Sequence, residues 1–187
     1  MLAIAEKLLS IEEYLMSERQ ASFKSEYFDG EMYAMAGASR EHNLIVTNII
    51  RMLGNQLLES PCNVYPSDMR VKIAEIGKYT YPDVTIACDE EIFDDDYKDT
   101  LLNPLLIIEV LSDSTESYDR GKKFKHYQRI KSFSEYILIE QTPYRVEQYV
   151  RQDNRTWLYS EFHEAADIVQ LKIIKCTLAL KDIYAKI

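Results

Sequence analysis

One acid in this chain stands where an apolar interior is expected and another opens a nearby strand, and their types and setting suit metal-assisted chemistry. Glu109 lies at the centre of "NPLLIIEVLSDS", and Asp83 follows Pro82 in "YTYPDVTIAC". A carboxylate buried without a partner costs several kcal/mol, on the order of the penalty for any unsatisfied polar group in an interior. Glu109 therefore calls for a cation, a metal or a shared proton. Two carboxylates on neighbouring strands suit a hard divalent ion such as Mg2+ or Mn2+, which takes oxygen ligands and keeps several waters. Such an ion can activate water and neutralise the charge that develops on a phosphodiester. A lysine would complete the set by stabilising charge or orienting the water. The segment "DRGKKFKHYQRI" offers Lys122, Lys123 and Lys125, with Lys123 four residues before Tyr127 and on the same helical face. Each residue also has a plainer reading: a structural ion pair for Glu109, a turn or cap for Asp83, solvent exposure for a lysine.

The elements that must position these residues are legible in outline. Leu105, Ile107, Glu109 and Leu111 alternate with Leu106, Ile108 and Val110, and both sets are apolar apart from the acid. That pattern predicts a central strand covered on both faces. Ser10-x-x-Glu13 is a capping box for a short helix, and Asp29-Gly30 joins two strand-like runs as a hairpin. Ser39 caps a helix running to about Leu58, with Ile45, Ile49, Leu53 and Leu57 on one stripe. Residues 64–73 alternate as a strand with Met69, Val71 and Ile73 on one face and Asp68, Arg70 and Lys72 on the other. Residues 79–88 read as another strand, and 120–131 as a basic amphipathic helix. "SEYILIEQ", "YRVEQYVR" and "RTWLYSE" give three more strands, with Pro143 in the turn between the first two, and the tail "LALKDIYAKI" gives a closing helix. The expected architecture is one domain over residues 1–187, an α/β arrangement with a mixed sheet flanked by helices.

Composition narrows the class of protein. Of the 187 residues, 47% are hydrophobic and 28% charged, an ordinary globular balance. No apolar run approaches the roughly 20 residues of a membrane span, and the N-terminus lacks the pattern of a signal peptide. The expectation is a cytoplasmic protein with no membrane partner. Cys62, Cys88 and Cys176 are read as small buried hydrophobes in a reducing compartment. The net charge of −9 at first opposes a nucleic-acid partner, but seven acids and one lysine between residues 89 and 100 account for most of it. That run is read as a solvated surface excursion. His126 and His163 have no companions at metal-ligand spacing and are read as structural, and no phosphate loop, nucleophile elbow or dinucleotide fingerprint is present.

"YPDV" (81–84), "IIEVLS" (107–112) and "YDRGKKFKHY" (118–127), taken together, resemble the PD-(D/E)XK nuclease superfamily. More closely, the chain is similar to the Uma family, a bacterial group classed with restriction endonucleases, from "EYFDGEMYAMAGASREHN" to "LALKDIY". The resemblance implies a restriction-endonuclease-like core with an N-terminal hairpin and extra C-terminal strands. It implies Asp83 and Glu109 as ligands of Mg2+ or Mn2+. The superfamily motif places a lysine two residues after the acid, where this chain has Leu111. The Uma-like pattern moves that lysine to the following helix, which maps onto Lys123. The resemblance also implies an acid from the first core helix, here Glu41, and a base or phosphate contact at His42. Asp68 could join the metal site or form a cross-strand ion pair.

The leading expectation is a metal-dependent endonuclease acting on DNA, with Arg120, Lys122, Lys125 and Arg129 as the local contact surface. Similar nucleases often work as homodimers, and the tyrosine-rich hairpin could supply the interface. Two alternatives stand beside it: a non-catalytic module of the same fold that binds DNA or protein, and a metal-dependent phosphohydrolase acting on a small substrate.

Overall fold

The computed structural model describes residues 8–142 and 144–187. The N-terminal reading at residues 1–7 and the expected turn at Pro143 lie outside them. Among the described residues, no helix is long and apolar enough to cross a membrane.

The capping box forms as read: Ser10 accepts from the Glu13 amide and Glu13 returns the bond to the Ser10 amide, opening α1 (Ile11–Glu18). The hairpin follows as β1 (Ser25–Phe28) and β2 (Glu31–Ala34). Asp29 and Gly30 both take positive φ, 53° and 86°, as a tight two-residue hairpin turn requires. Ser39 accepts from the His42 amide and starts α2 (Arg40–Gln56). Ile45, Ile49, Leu53 and Leu57 are all buried along one stripe of that helix and its end.

The run 64–73 is two strands: β3 (Cys62–Pro66) and β4 (Arg70–Ile73) lie in different sheets, separated by a turn. The run 79–88 likewise splits into β5 (Lys78–Thr80) and β6 (Val84–Cys88). Pro82 explains the second break, because it has no amide to give a ladder. β7 (Thr100–Leu101), β8 (Leu106–Val110), β9 (Glu135–Ile139), β10 (Val146–Arg151) and β11 (Trp157–Phe162) complete the two main sheets. One sheet runs β2-β1-β5-β4-β7, and the other β11-β10-β9-β8-β6-β3. Glu109 therefore sits on a strand inside the six-stranded sheet, flanked by antiparallel β6 and parallel β9. The fold is the mixed, helix-flanked arrangement expected from the sequence.

Ile108 and Val110 face a core built with α2, a small hairpin of β12 (Ile168–Leu171) and β13 (Cys176–Ala179), and α5 (Leu180–Ile183). Ile107 and Leu111 face a second core with Tyr127, Phe133 and Tyr136. Tyr27 of the first hairpin turns inward onto Tyr14 and Tyr79, while Tyr33 on β2 is exposed.

Two readings are corrected. Cys62 and Cys88 are register partners across β3 and β6 and are joined by a disulfide, while Cys176 alone is a buried free thiol. The antiparallel register brings the pair together, which sequence spacing does not reveal. The acidic run is anchored rather than simply solvated: Asp94 pairs with Lys72 (2.6 Å), Asp95 with Arg19 (2.6 Å), and Asp99 with Arg19 (2.7 Å) and Arg70 (2.9 Å). Arg70, read on the same face as Asp68 and Lys72, is buried by this arrangement.

Glu135, at the start of β9, gives the fold a measurable pH dependence. Its Oε1 accepts from Gln148 at 2.5 Å, while Oε2 is buried without a hydrogen bond among the described residues. Burial pushes the carboxyl from its ordinary 4.5 up to about 7. The folded chain thus holds that proton more tightly than the unfolded chain. The stabilising contribution is complete below pH 4.5 and is lost as pH rises to about 7, with a difference on the order of 3 kcal/mol. Glu135→Gln should raise the melting temperature at pH 8 and change it little at pH 4.5. Equal shifts at both pH values in thermal melts would refute the assignment.

Candidate active site

Pleating and register bring the two acids together. Val84 is the Cα partner of Ile108, so Asp83 and Glu109 stand one residue beyond it at the same end of the β6–β8 pair. Asp83, freed from the ladder after Pro82, accepts from the Val110 amide through Oδ2 (2.7 Å). Its Oδ1 lies 3.1 Å from His42 Nε2, delivered by the first turn of α2. Glu109 is reached by Tyr127 of the aromatic core that Ile107 and Leu111 also face.

The chain between β8 and β9 brings the lysine. Its helix begins earlier than expected, as α3 (Glu116–Tyr118), passes through a π turn at Asp119–Lys123 and ends as α4 (Phe124–Tyr127). Lys123 Nζ lies 2.8 Å from Glu109 Oε1 and 3.1 Å from Asp119 Oδ1. Tyr127 donates to the same Glu109 oxygen at 2.8 Å. The side chains of Glu109 and Asp119 are each 4% exposed and that of Lys123 9%, so these charges are met almost entirely by one another.

Burial pushes the Glu109 carboxyl up to about 8, against the pull of Lys123, and the nearby Asp119 and Asp83 add to the rise. Burial alone would drive the Lys123 ammonium down, but Glu109, Asp119 and Glu26 hold it well above the usual lysine value. Burial also raises the Tyr127 phenol, so it remains a donor to Glu109.

Other candidates lie apart from this group. Glu41 is in the first turn of α2 and pairs with Arg40 at 3.3 Å. Asp68 is exposed and pairs with Lys24 at 3.0 Å. Arg120 is held by Glu140 (2.6 Å) and Glu147 (2.8 Å), and Arg129 pairs with Glu75, so both are engaged in ion pairs within the fold. Lys122 and Lys125 are exposed. His163 is exposed, 3.6 Å from Glu161.

Three charged residues at or near the site were missed in the sequence. Asp119 could have been found as the partner four residues before Lys123. Glu26 and Lys78 come from β1 and β5, paired through Tyr27 and Tyr79, and lie 3.3 Å apart. Glu26 also accepts from Thr80, which is in hydrogen-bonding reach of Tyr127.

No group of three or more histidine, cysteine or acidic side chains among the described residues is arranged to hold a metal ion. The donors at Asp83 and Glu109 still fit Mg2+ or Mn2+, because such ions commonly bind through one or two carboxylates and complete their shell with water and substrate phosphate.

Residues 11–181 match the model of a family, Uma2, described as "Putative restriction endonuclease". An uncharacterised Synechocystis protein, sll1609, is 41% identical over 161 residues, covering 86% of this chain and 91% of its own. A second from the same organism, slr1290, is 38% identical over 178 residues, covering 94% and 91%. A crystal structure described as a "putative nuclease belonging to DUF820" from Anabaena variabilis superposes with a TM-score of 0.77 at 18% identity, covering 95% of this chain and 98% of its own. That last likeness bears on the fold.

Proposed function

The chain belongs to the Uma2 family, and from that premise we propose that it is a divalent-metal-dependent endonuclease that hydrolyses phosphodiester bonds in DNA. The observation that carries this reading is the register that sets Asp83 and Glu109 at one end of adjacent strands, with the Lys123 ammonium 2.8 Å from Glu109.

In this reading Asp83 and Glu109 hold Mg2+ or Mn2+. The chemistry such a group supplies when bound is Lewis-acid polarisation of the phosphoryl oxygen and a lowered pKa for coordinated water. Asp83 is kept in place by the Val110 amide and His42, so its carboxylate is presented in a fixed direction. Tyr127 and Lys123 fix Glu109 through its Oε1. Lys123 does the work that a strand lysine at position 111 would do, placing a positive charge where charge develops on the phosphate. His42 orients Asp83; it is a positioning residue. Glu41 and Asp68 have no part in this mechanism.

The test is cleavage of supercoiled plasmid DNA by the purified chain with Mg2+, Mn2+ or EDTA. Nicking or linearisation with either metal and none with EDTA is expected. Retention of DNA with no cleavage under any metal would replace this reading with the binding-module alternative, which the burial of Lys123 between two acids favours. Hydrolysis of nucleotides or model phosphodiesters without DNA retention would replace it with a small-substrate phosphohydrolase.

A further inference from the structure

Beside the acids lies a cavity of about 340 Å³ that the mechanism above does not use. Phe28, Tyr33, Tyr118 and His126 supply its rings, and Glu26, Lys78 and Lys122 its charges. The Phe28 and His126 rings lie 5.3 Å apart between centroids. The π turn links this cavity to the acid cluster. Asp119 and Lys123, four residues apart, pair with each other, and Lys123 also meets Glu109, while Tyr118 and Lys122, also four apart and each one residue earlier, line the cavity.

We propose that this cavity is a nucleotide subsite that seats one base of the substrate strand beside the phosphodiester to be cleaved. The inference rests on the nuclease reading for the identity of the strand. The rings provide stacking faces, which accept any base. Two buried polar groups provide an edge. The Lys78 side chain is 3% exposed, and its ammonium meets Glu26 (3.3 Å) and Tyr118. An ammonium has three donors, so one remains for a base carbonyl or ring nitrogen. His126 Nδ1 is buried with no hydrogen-bond partner among the described residues. Lys122 is exposed and has no ion pair among the described residues, which suits the phosphate of the same nucleotide. Aromatic faces, buried donors and one cation together match a nucleotide better than an apolar ligand.

A nucleotide could come from a DNA strand or from solution, and the experiment separates the two. Binding of dTMP and of a single-stranded octanucleotide is measured by calorimetry in EDTA, where no hydrolysis can occur. The Tyr33→Ala/Lys122→Ala double variant changes two exposed residues and should fold like the parent, unlike a change at buried Lys78. Octanucleotide affinity should fall by about tenfold, the lower part of the range for removing a stacking ring. A loss seen with dTMP but not with the octanucleotide would overturn the strand assignment. Unchanged affinity for both would overturn the subsite. Failure of the nuclease reading has a different signature: no cleavage with Mn2+ while octanucleotide binding and its sensitivity to the double variant persist.

Discussion

Glu109→Gln should lower the rate of metal-dependent DNA cleavage by at least about 10³-fold while leaving the chain folded. The rate change corresponds to about 4 kcal/mol of transition-state stabilisation, within the several kcal/mol that metal polarisation supplies. The amide keeps the size of the acid and can still accept from Tyr127, which donates to Glu109 Oε1. Burial already pushes this carboxyl up to about 8, so loss of its ionised form is tolerated by the fold near neutral pH. Calorimetry should show that Mn2+ binding is lost in the same variant. Asp83→Asn should behave alike in both assays. A Glu109→Gln protein that cleaves within tenfold of the parent would remove the acid from the mechanism.

Lys123→Met should do two things that Glu109→Gln does not do together: reduce cleavage by about 10²–10³-fold and destabilise the fold. The first follows from removing a preorganised positive charge near the reacting phosphate. The second follows from its position between Glu109 and Asp119, at 2.8 Å and 3.1 Å. Removing one member of a buried ion pair typically costs about 3–5 kcal/mol, because its partner is left unpaired. Proton uptake by Glu109 offsets part of that, so the lower end is expected. In a chain of this size each kcal/mol shifts the melting temperature by roughly 2–4 °C, which places the loss at roughly 6–12 °C. Urea titration and the cleavage assay read the two effects separately. An unchanged melting temperature would mean that Lys123 does not neutralise the buried acids, and an unchanged rate would place the catalytic cation elsewhere.

How much of this was legible depends on whether the signal was local. Glu109 stood out because one acid interrupts an apolar strand, and no other position in that run competes for the reading. Asp29-Gly30 and the Ser39 cap were legible because turn and cap chemistry is written within a few residues. The alternation across 64–73 misled, because it continues through a turn at which the chain changes sheets. Glu26 and Lys78 were hidden for the opposite reason. Each sits on a short strand where a charge ordinarily faces water, and only the pairing of Tyr27 with Tyr79 brings them together. The disulfide is of the same kind, since its partners are set by register alone. Arg120 read as a surface cation, and it is held by acids from β9–β10 and their connection, elements distant in sequence.

The π turn has a further consequence, which is angular. On a regular α-helix each residue advances about 100°, so positions four apart drift by about 40°. Asp119, Lys123 and Tyr127 would then fan across some 80° of the helix surface, too wide an arc for all three to address one carboxyl group and its surroundings. A π turn holds more than four residues per revolution, so the step from Asp119 to Lys123 drifts in the reverse sense. The α-helical step from Lys123 to Tyr127 then brings the row back into line. One extra residue in the winding brings Tyr127 back over Asp119, with Lys123 between them meeting both Asp119 and Glu109. Deleting Gly121, which has open space around it, would rotate Lys123 and Tyr127 away together while leaving Asp119 in place.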